Sequence, residues 1–122
     1  MITITEDYVS FEIAKLLKER GFDRRCRAYY ASAGSFSYEK YEVESSECEM
    51  HNVILAPTLQ MAMKWLREVH NIAIDTEWEH LWYAYVKPMT ANPFEDDYHQ
   101  CFSRKYEEAV EEAIKYCLEN LI

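Results

Sequence analysis

From Tyr106 onward, apolar residues return every three or four positions: Tyr106, Ala109, Val110, Ala113, Ile114, Cys117, Leu118 and Leu121. Glu107, Glu108, Glu111, Glu112, Lys115 and Glu119 fill the gaps. With 3.6 residues per turn, that spacing gathers the first set into one stripe and turns the second to solvent. The pattern predicts an amphipathic helix over 103–122, with Ser103 as its N-cap. Two further helices have the same signature. Ser10 to Arg20 carries Ile13, Ala14, Leu16 and Leu17 on one face, and Gly21 followed by Phe22 is a left-handed stop signal. Pro57 opens a helix running to about His70, whose inner stripe is Leu59, Ala62, Trp65, Leu66 and Val69, flanked by Met61 and Met63. Asn71 is suited to end it with positive φ.

Between the helices the period falls to two. Cys26–Ala31 and Phe36–Val43 read as strands joined by a turn at Ala33-Gly34-Ser35, with Asn52–Leu55 as a brief third strand after a polar loop over 44–51. Neither face of Phe36–Val43 is cleanly apolar, which predicts an edge strand. Ile72–Glu77 and Leu81–Lys87 form the best hairpin candidate, turning around Trp78-Glu79-His80. Pro88 to Gln100 is polar, contains Asn92-Pro93 and reads as a loop. The expected fold class is α+β: a small, mainly antiparallel sheet of three to five strands with three helices packed against it, forming a single compact domain over 1–122.

Composition narrows the function. A net charge of -9 disfavours direct nucleic-acid binding, which needs clustered Lys and Arg. The charge is uneven. Residues 15–27 hold Lys15, Lys18, Arg20, Arg24, Arg25 and Arg27 against Glu19 and Asp23, a local net of +4. Residues 28–122 carry -10, an imbalance that also motivates the alternative of an acidic nucleic-acid mimic. No apolar run is long enough for a membrane span, and the first seven residues lack the features of a signal peptide. Cys26, Cys48, Cys101 and Cys117 are accordingly expected to be cytoplasmic thiols.

No coherent reactive constellation emerges. Cys48 and His51 have ligand-like spacing, and His99 and Cys101 could complete a four-ligand zinc sphere, but the second pair is too close for a zinc knuckle. Structural or solvated roles are favoured, and neither metal nor cofactor is expected. Cys26 lies among Arg24, Arg25 and Arg27, which would stabilise a thiolate facing them, but a positioned base is needed as well. The acidic run Glu95-Asp96-Asp97 lacks the spacing and turn glycine of a calcium loop. With only Gly21 and Gly34 in the chain, a glycine-rich phosphate loop is excluded.

The segments Phe11–Asp23, Ala56–His70 and Tyr106–Ile122 resemble small, functionally uncharacterised proteins of gut Bacteroides and related phage or mobile elements. The resemblance spans nearly the whole chain and is weakest over 35–53. It implies a bacterial cytoplasmic or phage-associated role, and it carries over no activity, cofactor or site residue.

Ten tyrosines and three tryptophans are the strongest remaining signal, because amphipathic rings serve interfaces. The favoured expectation is a noncatalytic protein-interaction or accessory domain, engaging a protein partner or a second copy of itself. Tyr29, Tyr38, Tyr41, Tyr83 and Tyr85 would make contact while Arg24 and Arg25 orient the partner. The alternative is a small-ligand-binding protein or enzyme with a pocket the motifs do not reveal.

Overall fold

A computed structural model of the protein describes residues 5–44, 52–89 and 98–122. Helix α1 spans Phe11–Glu19, and the hydroxyl of Ser10 accepts from the Ile13 amide as its N-cap. At the other end the Phe22 amide donates to Leu17 O (2.9 Å) and the Gly21 amide to Lys18 O (3.2 Å). That pair of bonds is the Schellman closure, and Gly21 makes it possible by taking φ +89° without a Cβ. Phe22 is buried by the turn.

Strand β1 (Cys26–Ala31) turns at Gly34 into β2 (Phe36–Val43), and β3 (Val53–Leu55) pairs with the other side of β1. Both pairings are antiparallel, so the sheet order is β2-β1-β3. β2 is an edge strand, as its mixed faces predict. It is also irregular: Cys26 pairs with Val43 but Ala28 with Tyr38, so β2 bulges opposite Arg27. The approaches to the first two helices are tied together, with Val9 N donating to Pro57 O (3.0 Å) and Leu59 N to Asp7 O (2.9 Å).

Helix α2 spans Leu59–His70 and ends, as expected, at Asn71 with φ +56°. Its burial differs in two places from the expected stripe. Met63 is buried with Ala62, Trp65 and Leu66, whereas Val69 is 48% exposed. The flexible thioether fills a core position that simple spacing assigns to the flank. A three-stranded meander follows: β4 (Ile72–Trp78), β5 (Trp82–Pro88) and β6 (His99–Ser103), in the order β4-β5-β6 and antiparallel throughout. The hairpin register runs from Ile72 opposite Pro88 to Trp78 opposite Trp82, and His80 takes φ +66° in the turn.

Helix α3 (Tyr106–Asn120) packs on all three strands of the meander. Ala109, Val110, Ala113, Ile114, Cys117 and Leu118 are buried as the periodicity requires, while Leu121, just beyond the helix, is 40% exposed. Ser103 is not the N-cap. It closes β6, and Lys105 occupies the cap without a side-chain bond. Ser103 still organises the helix start, since its Oγ accepts from the Lys105 amide (3.2 Å) and donates to Glu108 (2.7 Å).

The α+β class with antiparallel strands is what the structure shows, but the strands form two sheets where one was expected. The expected loop at 88–100 conceals the start of β6, and without β6 the second sheet is only a hairpin. The chain divides into two compact units, Met1–Gln60 and Met61–Ile122, with the boundary inside α2. No described helix is long and apolar enough to cross a membrane.

Candidate interaction face on the second sheet

Alternation gives the second sheet two chemically different faces. Ile72, Ile74, Ala84, Val86 and Cys101 are buried on the α3 side. The residues between them point the other way: Asp75 and Glu77 on β4, Tyr83, Tyr85 and Lys87 on β5, Gln100 and Phe102 on β6. Register lines these up in rows. Glu77 pairs with Tyr83, which pairs with Phe102, and Asp75 pairs with Tyr85, which pairs with Gln100.

The rings in these rows touch. Tyr83 and Tyr85 lie nearly parallel (13°) with centroids 6.2 Å apart, and Tyr83 meets Phe102 at 6.1 Å. Phe102 is 60% exposed, so its ring adds apolar area to the surface of this face. Beside them, Lys87 Nζ bonds Asp75 Oδ2 at 2.7 Å and lies over the rings of Tyr98 (5.1 Å) and Tyr85 (5.8 Å). Asp75, Thr76, Glu77, Tyr85, Lys87 and Tyr98 line an open depression of about 450 Å³.

Among the described residues, this face sets the carboxylates of Asp75 and Glu77 against the cation of Lys87. Tyr85 holds its phenolic proton above the ordinary range, chiefly through desolvation and then through Glu77, Tyr83 and Glu79, with Lys87 opposing them. Lys87 is held above the ordinary lysine range, first by its hydrogen bond to Asp75.

The residues singled out from sequence fall into separate groups. Tyr83 and Tyr85 belong to this face. Arg24, Arg25, Tyr29, Tyr38 and Tyr41 all belong to the first unit. Arg25 forms an ion pair with Glu44, and Tyr29 donates to Glu39 (2.6 Å). Tyr38 is 52% exposed, with the Arg27 guanidinium over its ring at 4.8 Å and Tyr8 at its edge. Tyr41 is 74% exposed. Sequence reading missed Phe102, Tyr98, Glu77 and Lys87. The alternation of His99-Gln100-Cys101-Phe102-Ser103 was the one signal that could have placed Phe102 beside Tyr83.

Of the four residues of the zinc alternative, His99 and Cys101 are among the described ones. Cys48 and His51 lie outside the described residues. His99 stacks flat on Tyr116 at 3.5 Å, and Cys101 is buried. Among the described residues no three metal-binding side chains cluster. Cys101 and Cys117 are not activated thiols. Burial pushes Cys117 up to about 12, and burial followed by Glu112 raises Cys101. Cys26 is buried, with its thiol donating to the Arg24 carbonyl (3.4 Å).

Comparisons with protein-family models, with curated proteins and with solved structures find no match for this chain.

Proposed function

We infer that this chain is a noncatalytic protein-interaction module whose contact surface is the outer face of the β4-β5-β6 sheet. The observation that carries the reading is the contiguous set Tyr83, Tyr85 and Phe102, joined ring to ring on the face opposite α3. Aromatic rings in such a set offer apolar area with little side-chain entropy to lose, which is why they anchor interfaces. The carboxylates and Lys87 beside them supply a polar border that favours one partner orientation over another. A cytoplasmic setting, and the phage-associated one implied by the resemblance, belong to the same reading. So does preference for a separate protein partner over self-association.

The test is affinity capture from a bacterial lysate with the wild-type chain and a variant carrying Tyr83→Ala, Tyr85→Ala and Phe102→Ser. The expected result is a stoichiometric partner retained by the wild type and lost by the variant, with circular dichroism unchanged. Equal retention by both, or no stoichiometric partner for the wild type, would remove the reading.

A further inference from the structure

Lys87 shows what the outer face does with a cation. Its ammonium is held by one carboxylate, Asp75, and by the rings of Tyr85 and Tyr98. This is a cation–π seat closed by an ion pair, and the protein supplies its own occupant. The row beside it repeats the same chemistry. Glu77 pairs directly with Tyr83 as Asp75 does with Tyr85, and Phe102 offers a second ring on the far side of Tyr83. Glu77 is exposed and, among the described residues, has no ion-pair partner. Glu79 follows at the hairpin turn and strengthens the negative potential over Tyr85.

We propose that the Glu77–Tyr83–Phe102 row receives an arginine side chain from an extended segment of a partner protein. The proposal rests on the interaction reading above and names the chemistry of the partner. Arginine fits better than lysine for a physical reason. Its guanidinium is flat, so it stacks on Tyr83 or Phe102, and its forked donors match the two oxygens of Glu77. An acidic segment would meet Glu77, Glu79 and Asp75 with, among the described residues, only Lys87 on that face to offset them. A nucleic-acid strand could stack bases on the same rings, but its phosphates would face the same repulsion.

The experiment is an amide NMR titration of the full chain with a blocked peptide Gly-Val-Arg-Val-Gly and with its citrulline counterpart, which keeps the shape and loses the charge. The arginine peptide is expected to move the signals of Glu77, Tyr83, Tyr85 and Phe102 along a saturable curve. Citrulline, Glu77→Gln and Tyr83→Leu are each expected to weaken it roughly fivefold, the size of an exposed cation–π contact backed by a carboxylate. Added salt should weaken it further. Equal binding of the citrulline peptide, shifts located elsewhere, or no shift at millimolar peptide would overturn the proposal. A single-stranded oligonucleotide that moves the same four signals more strongly than the arginine peptide would also overturn it, in favour of base stacking. Partner capture that survives Glu77→Gln but not loss of the three rings would leave the interaction reading intact and remove the arginine.

Discussion

Lys87 reaches diagonally across the β4–β5 ladder to Asp75, with Nζ 2.7 Å from Oδ2, although Asp75 pairs with Tyr85 and Lys87 with Ala73. The reach lays the lysine stem along the sheet and brings its ammonium over Tyr85 and Tyr98. The same diagonal joins the charge pattern of the edge strand to the aromatic rows of the central one. It also makes Lys87 a reporter of the integrity of the face.

Asp75→Asn should therefore lower the titration of Lys87, because the hydrogen bond to Asp75 is the largest cause of its upward shift from 10.5. A lysine whose folded-state value is raised stabilises the fold below 10.5, and the contribution is lost as pH rises through the higher folded value. Both side chains are substantially exposed, so the cost of the substitution should stay below about 1 kcal/mol. Lysine-resolved NMR titration and urea denaturation measure the two quantities. An unmoved Lys87 titration in the variant would show that the bond does not persist in solution.

Cys117 predicts a larger sensitivity to alkali. Its thiol is pushed up to about 12 from 9.0, mainly by burial on the inner side of α3. Above pH 9 the unfolded chain releases this proton while the folded chain keeps it, so stability falls as pH rises. The slope approaches about 1.4 kcal/mol per pH unit for one such group between its two values. Urea midpoints measured from pH 8 to 10.5 should drop in the wild type and drop less in Cys117→Ala, whose smaller side chain lowers the whole curve but removes the titration. Parallel curves would sink the assignment.

How far the sequence disclosed this structure depends on how many independent signals each element carries. Helix α1 has a cap at Ser10, an apolar stripe and a glycine stop, and all three are where periodicity places them. Helix α3 has six buried positions at regular spacing, enough to fix its face although its start was set by Lys105 instead of Ser103. Strand β6 has five residues, no β-branched side chain, and a polar stretch before it, so its local propensity is weak. Pairing with β5 and cover from α3 make it a strand. Missing β6 also hid the candidate face, because Tyr83 and Tyr85 were legible as strand tyrosines while Phe102 could not be placed beside them. The separation of Arg24 and Arg25 from Tyr83 and Tyr85 into different units depends on long-range contacts that no local pattern encodes.

Gly21→Ala should destabilise the protein by about 1 kcal/mol, the cost of holding a Cβ-bearing residue in the left-handed region. No heavy atom lies within 4 Å of the added Cβ, so the penalty is one of backbone conformation alone. Gly21→Asn should cost less, since asparagine tolerates positive φ better than alanine. Chemical denaturation orders the three proteins. An alanine variant as stable as the wild type would mean that the Phe22–Leu17 and Gly21–Lys18 bonds can form without the left-handed turn.

The register of β6 makes the sharpest demand on solution chemistry. Cys101 is 6% exposed and Phe102 is 60% exposed, although they are neighbours in the chain. A strand sends consecutive side chains to opposite faces, and a slip of one residue would exchange them. In the native protein a thiol reagent should therefore label Phe102→Cys and Gln100→Cys rapidly and leave Cys101 protected, with peptide fragmentation locating each label. Cys101 is disfavoured twice, by access and by a thiol value raised through burial, whereas a cysteine at 100 or 102 would stand in solvent on the other face. Rapid labelling of Cys101 together with protection at 102 would reverse the faces of β6, and with them the row that places Phe102 beside Tyr83. Protection at both positions would mean that the outer face is covered in solution, and the aromatic surface would then have to be sought on the exposed Tyr38 and Tyr41 of the first sheet.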